Sequence, residues 1–199
     1  MFNRLRQKWN RKNLNDERFA FLFDEVQSDE VVVFDCETTG LKPKIDDIIS
    51  IGAVKVKGNK ILTNEAMHIF VKQNKQINHE SITIHQIRHC DLDEAISIEE
   101  AIEKFLYYIG NRKLVGYYLE FDVAMINKTI KPMFGITLPN KQEEVSAIYY
   151  DKKIATIPQG HVDLRFDTIL NDLDLPKFQA HDALNDAIMT AMMYLKLRR

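Results

Sequence analysis

Cysteine is scarce: Cys36 and Cys90 are the two in 199 residues. They form no spaced cluster, so disulfides are not expected. Long apolar runs and a signal-peptide pattern are also missing, which argues against membrane spans and makes a reducing cytoplasm the expected address. Neither sign of charge dominates, with 27 Lys and Arg against 29 Asp and Glu, a net charge of -2 and a pI near 6.3. A protein built to coat nucleic acid would be basic, so any such contact is expected to be local or transient. Repeats and low-complexity segments are absent as well. What remains is a chain whose length suits one globule and whose 45% hydrophobic residues can fill its core.

The first fourteen residues, MFNRLRQKWNRKNL, differ from the rest. They hold Arg4, Arg6, Lys8, Arg11 and Lys12 with no acid, interleaved with Phe2, Leu5 and Trp9. This reads either as a helix that touches nucleic acid or an acidic surface, or as a solvated charged end that packs Trp9 onto the domain. A transit peptide fits less well, since Asp16, Glu17 and FAFLFD follow without a serine-rich stretch. Residues 1–28 are therefore taken as a basic extension and 29–199 as the domain.

From residue 31 the apolar pattern has period two over VVVFD, IISIGAVKV and ILTNEAMHIFV, with KGNK as a hairpin turn between the last two. Ser97, three residues before Glu100, opens a capping box, and Ile98, Ala101, Ile102, Phe105 and Ile109 repeat at helical spacing until Gly110. KLVGYY predicts a short buried strand and EFDVAMINKTIK a helix with Val123, Ile126 and Ile130 on one side. Between Pro132 and Gln179 the pattern predicts helices over EEVSAIYYDK and LRFDTILNDL, with a loop near IPQG. A final helix over DALNDAIMTAMMYLKLRR is expected to bury Leu184, Ala187, Ile188, Ala191 and Leu195. Strands first and alternating helices and strands later give a mixed sheet flanked by helices.

Three places on this frame carry chemistry. In VVVFDCETTGLKP, Asp35 and Glu37 share one face of a strand while Cys36 points to the other, and two hard oxygen ligands side by side suit a divalent cation. A charged strand end entering a solvated turn reads the same stretch equally simply, because a DxE arises about once by chance in a chain this long. Asp122 falls at a strand-to-helix junction, where an acid also suits the helix dipole without further duty. In FQAHDALNDAIM, His181 precedes Asp186 by five positions. At about 100° per residue these lie roughly 140° apart on a helix, so both reach one site only if His181 sits in the loop or at the cap. Ala183, Ala187 and Thr190 are small enough to let that face approach the sheet closely.

Taken together, DCETTGL, IISIGAV, SITIHQI at 81–87, GYYLEFD and HDALNDA resemble the DnaQ-like exonucleases, the DEDDh branch of the ribonuclease H-like fold, over about residues 30–197. The resemblance implies a mixed five-stranded α/β sheet and a two-metal site for Mg²⁺ or Mn²⁺. Asp35 would bridge the metals, Glu37 and Asp186 would complete the first site, Asp122 would serve the second, and His181 would be the general base. Thr38 and Leu41 match positions that touch the terminal nucleotide. Tyr117 and Tyr118 stand where the family often has His-Asn, and Tyr118 and Phe121 either stack on a base or pack. The implied activity is 3′ to 5′ exonuclease action on single-stranded or frayed DNA ends. RNA is the nearest rival substrate, and a non-catalytic module that binds nucleic acid or a partner is the rival class. Replicative proofreading subunits extend beyond the third motif, whereas this chain stops at Arg199, so a stand-alone enzyme is expected, with any polymerase or repair partner unidentified.

Overall fold

The computed structural model describes residues 2–26, 28–73, 95–156, 161–179 and 181–198. The SITIHQI and IPQG stretches and Cys90 lie outside these residues. The chain opens with helix α1 (Phe2–Lys12) and a 3-10 helix (Glu17–Phe23). Strands β1 (Val31–Thr38), β2 (Ile48–Lys57) and β3 (Lys60–Phe70) follow, then helix α2 (Ile98–Ile109), strand β4 (Lys113–Gly116), helix α3 (Leu119–Phe134) and strand β5 (Gln142–Glu144). Helices α4 (Val145–Thr156), α5 (Phe166–Asp172) and α6 (Ala183–Leu197) complete the described chain.

The sheet order is β3-β2-β1-β4-β5. β1 pairs antiparallel with β2, β2 antiparallel with β3, and β1–β4 and β4–β5 are parallel. Both faces of β1 are covered, and its two-residue period splits the core. Val32, Phe34 and Cys36 join the cluster built with α2, α3 and the 3-10 helix. Val31 and Val33 join the one built with α4, α5 and α6. Asp35 and Glu37 continue the second series, so they face the α6 side. Phe34, 1% exposed and 5.0 Å from the Phe105 ring, ties β1 to α2. Its truncation to Ala is expected to cost about 3–5 kcal/mol.

Several expectations need correction. KLVGYY is strand only to Gly116, because Tyr118 turns left-handed at φ 56° and ψ 33° and starts α3. EEVSAIYYDK is helical only from Val145, since Gln142, Glu143 and Glu144 pair with Leu114, Val115 and Gly116 as an edge strand too short to show a period. Leu184, Ile188 and Leu195 are half-buried rather than buried. The sheet, α4 and α5 instead take Ala183, Ala187, Met189, Thr190, Ala191, Met193, Tyr194 and Leu197. α3 runs through Pro132 to Phe134 and ends at Gly135, whose φ of 74° suits a left-handed cap.

Trp9 does not pack onto the domain, being 68% exposed. The neighbouring residues do: Leu14, Phe19 and Leu22 are buried, and the Phe19 ring lies 4.5 Å from that of Phe134. The Asn15 N–H donates to Phe134 O at 3.2 Å, and a Cβ on Gly135 would lie 2.3 Å from Asn13 O. Residues 14–23, grouped with the extension on composition, thus supply part of the core.

Candidate active site

The site forms where β1 outlasts β4. Register pairs Val33 with Val115, and the pairing then ends, which leaves the far end of β1 free on that side. Asp122, in the first turn of α3 and 3% exposed, fills the gap: its Oδ1 accepts the Cys36 N–H at 3.2 Å. A carboxylate thereby replaces a strand carbonyl.

Gly52 controls the approach from the other side. It lies opposite Asp35 in the sheet, and a Cβ there would sit 2.2 Å from the backbone of Ala183 and Leu184. The absence of a side chain lets the start of α6 rest on β2. Asp182 caps that helix by accepting the Asn185 N–H at 2.9 Å. His181 precedes the cap at φ 64°, as the helical-wheel argument required. Its backbone N–H donates to Asp186 Oδ2 at 3.2 Å, while Asp186 Oδ1 is buried with no hydrogen-bond partner among the described residues.

Glu37, His181 and Asp186 each offer a ligand atom within 4.8 Å of the others. Asp35, His181 and Asp186 line a cavity of about 600 Å³, walled by Tyr117, Phe166 and Lys177. Burial pushes the Glu37 carboxyl up to about 7, aided by the charges of Asp186 and Asp182. Asp186 rises to about 6, again chiefly by burial, against the His181 N–H that favours its charge. Asp35 is held well above the carboxylate range by burial and then by Asp122, Glu37, Asp186 and Asp182. Burial also raises Asp122, opposed by the Cys36 N–H. No lysine or arginine is among the leading influences on any of the four. Among the described residues His181 is the one positive influence on the group, acting on Asp186, and one buried carboxylate oxygen has no donor, so an oxygen-binding cation fits the arrangement.

The remaining candidates divide. Thr38 is half-buried and donates its hydroxyl to Gly40 O at 2.8 Å, whereas Leu41 is 81% exposed. Tyr118, 67% exposed, stacks on Phe121 with centroids 6.0 Å apart. Tyr117 packs instead: its hydroxyl donates to Leu164 O at 2.8 Å and its ring meets Phe166 edge-on at 5.0 Å.

Three contributors escaped the sequence reading. Asp182 stands beside His181, and its spacing to Asn185 is a readable cap signal. Gly52 looks like any strand residue. Glu144 accepts the Leu119 N–H with Oε2 at 2.8 Å, and the Ser146 N–H and hydroxyl with Oε1 at 3.1 and 2.8 Å. It therefore caps α3 and α4 together, although Leu119 is 25 positions away and no local pattern links them.

A mixed five-stranded sheet flanked by helices, with carboxylates gathered at the end of its first strand, defines a ribonuclease H-like fold. Residues 32–194 match the RNase T exonuclease family. The chain belongs to that family and is a nuclease. It is 31% identical to the PolC-type DNA polymerase III of Thermotoga maritima over 165 residues, which is 83% of this chain and 12% of the relative. The Bacillus subtilis counterpart is 27% identical over 172 residues, 86% of this chain and 12% of the relative. The chain thus spans about an eighth of the length of these relatives. Among solved structures, cell-death related nuclease 4 superposes with a TM-score of 0.72 at 16% identity, over 86% of this chain and 64% of that one. Exonuclease X in complex with 5′ overhanging duplex DNA gives 0.64 at 20% identity, over 84% and 90%.

Proposed function

We propose that the chain is a divalent-metal-dependent 3′ to 5′ exonuclease that removes nucleotides from single-stranded or frayed DNA ends. The observation that carries this reading is the convergence of Asp35, Glu37, Asp122 and Asp186 beside His181 without a neighbouring lysine or arginine among their leading influences. A binding module would gain nothing from gathering four buried or half-buried carboxylates that repel one another.

The four carboxylates would hold two cations, and their all-oxygen donor set favours Mg²⁺ or Mn²⁺. Such ions supply positive charge against the attacking and leaving oxygens of a phosphodiester. His181, exposed and in the loop before α6, reaches the same space and takes the proton of the attacking water, a contribution worth roughly 10²- to 10⁴-fold. Asp186 receives the His181 N–H and so holds the loop that carries the base. Asp122 ties α3 to β1 through Cys36, which fixes one carboxylate relative to the others. Tyr118 presents its ring for base stacking, with Phe121 behind it, and Thr38 and Leu41 flank the end of β1 where the terminal nucleotide would lie.

DNA is favoured over RNA because the relatives are DNA polymerases and the neighbours include exonuclease I bound to a dT13 oligonucleotide. The test uses 5′-labelled DNA and RNA of one sequence with Mg²⁺, Mn²⁺ or EDTA. A metal-dependent ladder shortening from the 3′ end, faster on DNA and lost in Glu37→Ala, is expected. Release of the labelled 5′ nucleotide first would overturn the polarity, and a faster RNA ladder would overturn the choice of sugar.

A further inference from the structure

Five of the chain's 27 basic residues and none of its 29 acidic ones lie in α1, which leaves the rest of the molecule at net -7. The domain proper therefore repels a polyanion, and α1 attracts one. Its seating on the domain decides which residues are presented. Gln7 donates to Pro139 O at 3.3 Å, and Asn10 both donates to Thr137 O at 2.8 Å and accepts the Thr137 N–H at 3.1 Å. With Gln7 and Asn10 bonded to the domain, Lys8, Trp9 and Lys12 are exposed and make no such bond to its described residues. Arg11 is taken by Glu17, in a pair of bonds of 3.0 and 2.6 Å.

This outward face serves the fold poorly. Lys8 and Lys12, four apart, repel each other, no acid stabilises the first turn, and Trp9 leaves 68% of its surface in water. A strand of nucleic acid answers all three features: its phosphates neutralise the lysines, and a base stacks on the indole. An acidic protein surface is the alternative occupant, and the experiment below separates the two.

The position of α1 sets the length of strand required. Gln7 and Asn10 share a cavity with Lys113 and Lys141, at the starts of parallel β4 and β5. The carboxylates gather at the opposite end of β1. From Val31 to Glu37 the sheet spans about 20 Å at roughly 3.3 Å per residue. Taken as a stacked strand at roughly 3.4 Å per step, about six nucleotides bridge that distance.

We propose that Lys8, Trp9 and Lys12 form a holding surface for the substrate strand upstream of the site, reached only by strands longer than about six nucleotides. This rests on the exonuclease reading, and the experiment separates the two. Trp9 is the only tryptophan in the chain, so its fluorescence reports on α1 alone. In EDTA, dT20 is expected to quench it and dT6 to do so at least about tenfold more weakly. The double variant Lys8→Glu/Lys12→Glu is expected to bind labelled dT20 about tenfold more weakly, with a shallower salt dependence. Its cleavage of dT6 in Mg²⁺ should match the parent's. Trp9→Ala, followed by anisotropy of labelled dT20, should also lose affinity. Unquenched Trp9 with parent-like binding of dT20 by both variants would overturn the proposal, as would quenching by polyglutamate but not by dT20. If the parent fails to cleave dT6, the exonuclease reading fails while the quenching by dT20 still judges the surface.

Discussion

His181 combines a functional side chain with an unfavourable backbone. A non-glycine residue at φ 64° costs about 1–2 kcal/mol, a penalty that glycine does not incur. His181→Gly is therefore expected to melt at or above the parent temperature while its cleavage rate falls roughly 10²- to 10⁴-fold. A rate within a few-fold of the parent would remove His181 from the chemistry. Leu41, 81% exposed, is the converse case: Leu41→Ala should leave stability within about 0.5 kcal/mol. A rise in KM for single-stranded DNA would then mark Leu41 as a substrate contact, and an unchanged KM would dismiss it. Two pairs are legible in the sequence because their members are close along the chain, while Asp122, whose partner Cys36 is 86 positions away, is legible from its place at a strand-to-helix junction. Asp35 and Glu37 share a strand face, and His181 and Asp186 share a helix entrance. Gly52 and Glu144 act on residues far away in sequence, so spacing gives no hint of them.

At the level of elements, two contacts set the geometry of the cluster. Glu144 caps α3 through Leu119, three residues before Asp122, while Asp122 grips β1 at Cys36. Glu144→Ala is expected to weaken metal activation about 10- to 100-fold, as loss of a supporting residue does elsewhere. Glu144→Gln should fall between it and the parent, and an unchanged half-activating Mn²⁺ concentration would show that α3 holds its place unaided. Gly52→Ala would drive a Cβ into the backbone of α6. Its expected outcome is a lower melting temperature together with slower cleavage, and parent-like values for both would contradict the close seating of α6 on β2. The long strands and helices follow from their periods. The exceptions are short or tertiary: β5 is three residues held by its neighbour, and residues 14–23 belong to the core through Phe19 and Phe134, which no local pattern connects.

For the whole molecule, the cluster makes stability depend on pH. A carboxyl with a higher pKa in the folded than in the unfolded chain stabilises the fold below the unfolded value, and that stability is lost as pH rises through the folded one. Glu37 and Asp186, raised to about 7 and about 6, place the loss between roughly pH 5 and 8. Asp16, Glu17, Glu30, Glu143 and Asp163 are held low by their cationic partners. They are ionised in both states across this window and add no slope. His68, lowered by burial, acts in the opposite sense, one group against the carboxylate cluster. Metal-free protein should therefore melt several degrees higher near pH 5.5 than near pH 8.5, at about 2–4 °C per kcal/mol, and saturating Mg²⁺ should narrow the gap. A flat or inverted profile would contradict the clustering.

The most direct measurement is calorimetric titration of Mn²⁺ into the metal-free protein near pH 7, in buffers of different ionisation enthalpy. A cation can bind Glu37 and its neighbours only by displacing the protons that burial retains there. The account predicts saturable binding with net proton release that shrinks toward higher pH, and loss of both in Asp186→Asn. Absence of binding, or binding that releases no protons and survives the substitution, would contradict the claim that these carboxylates converge to hold metal.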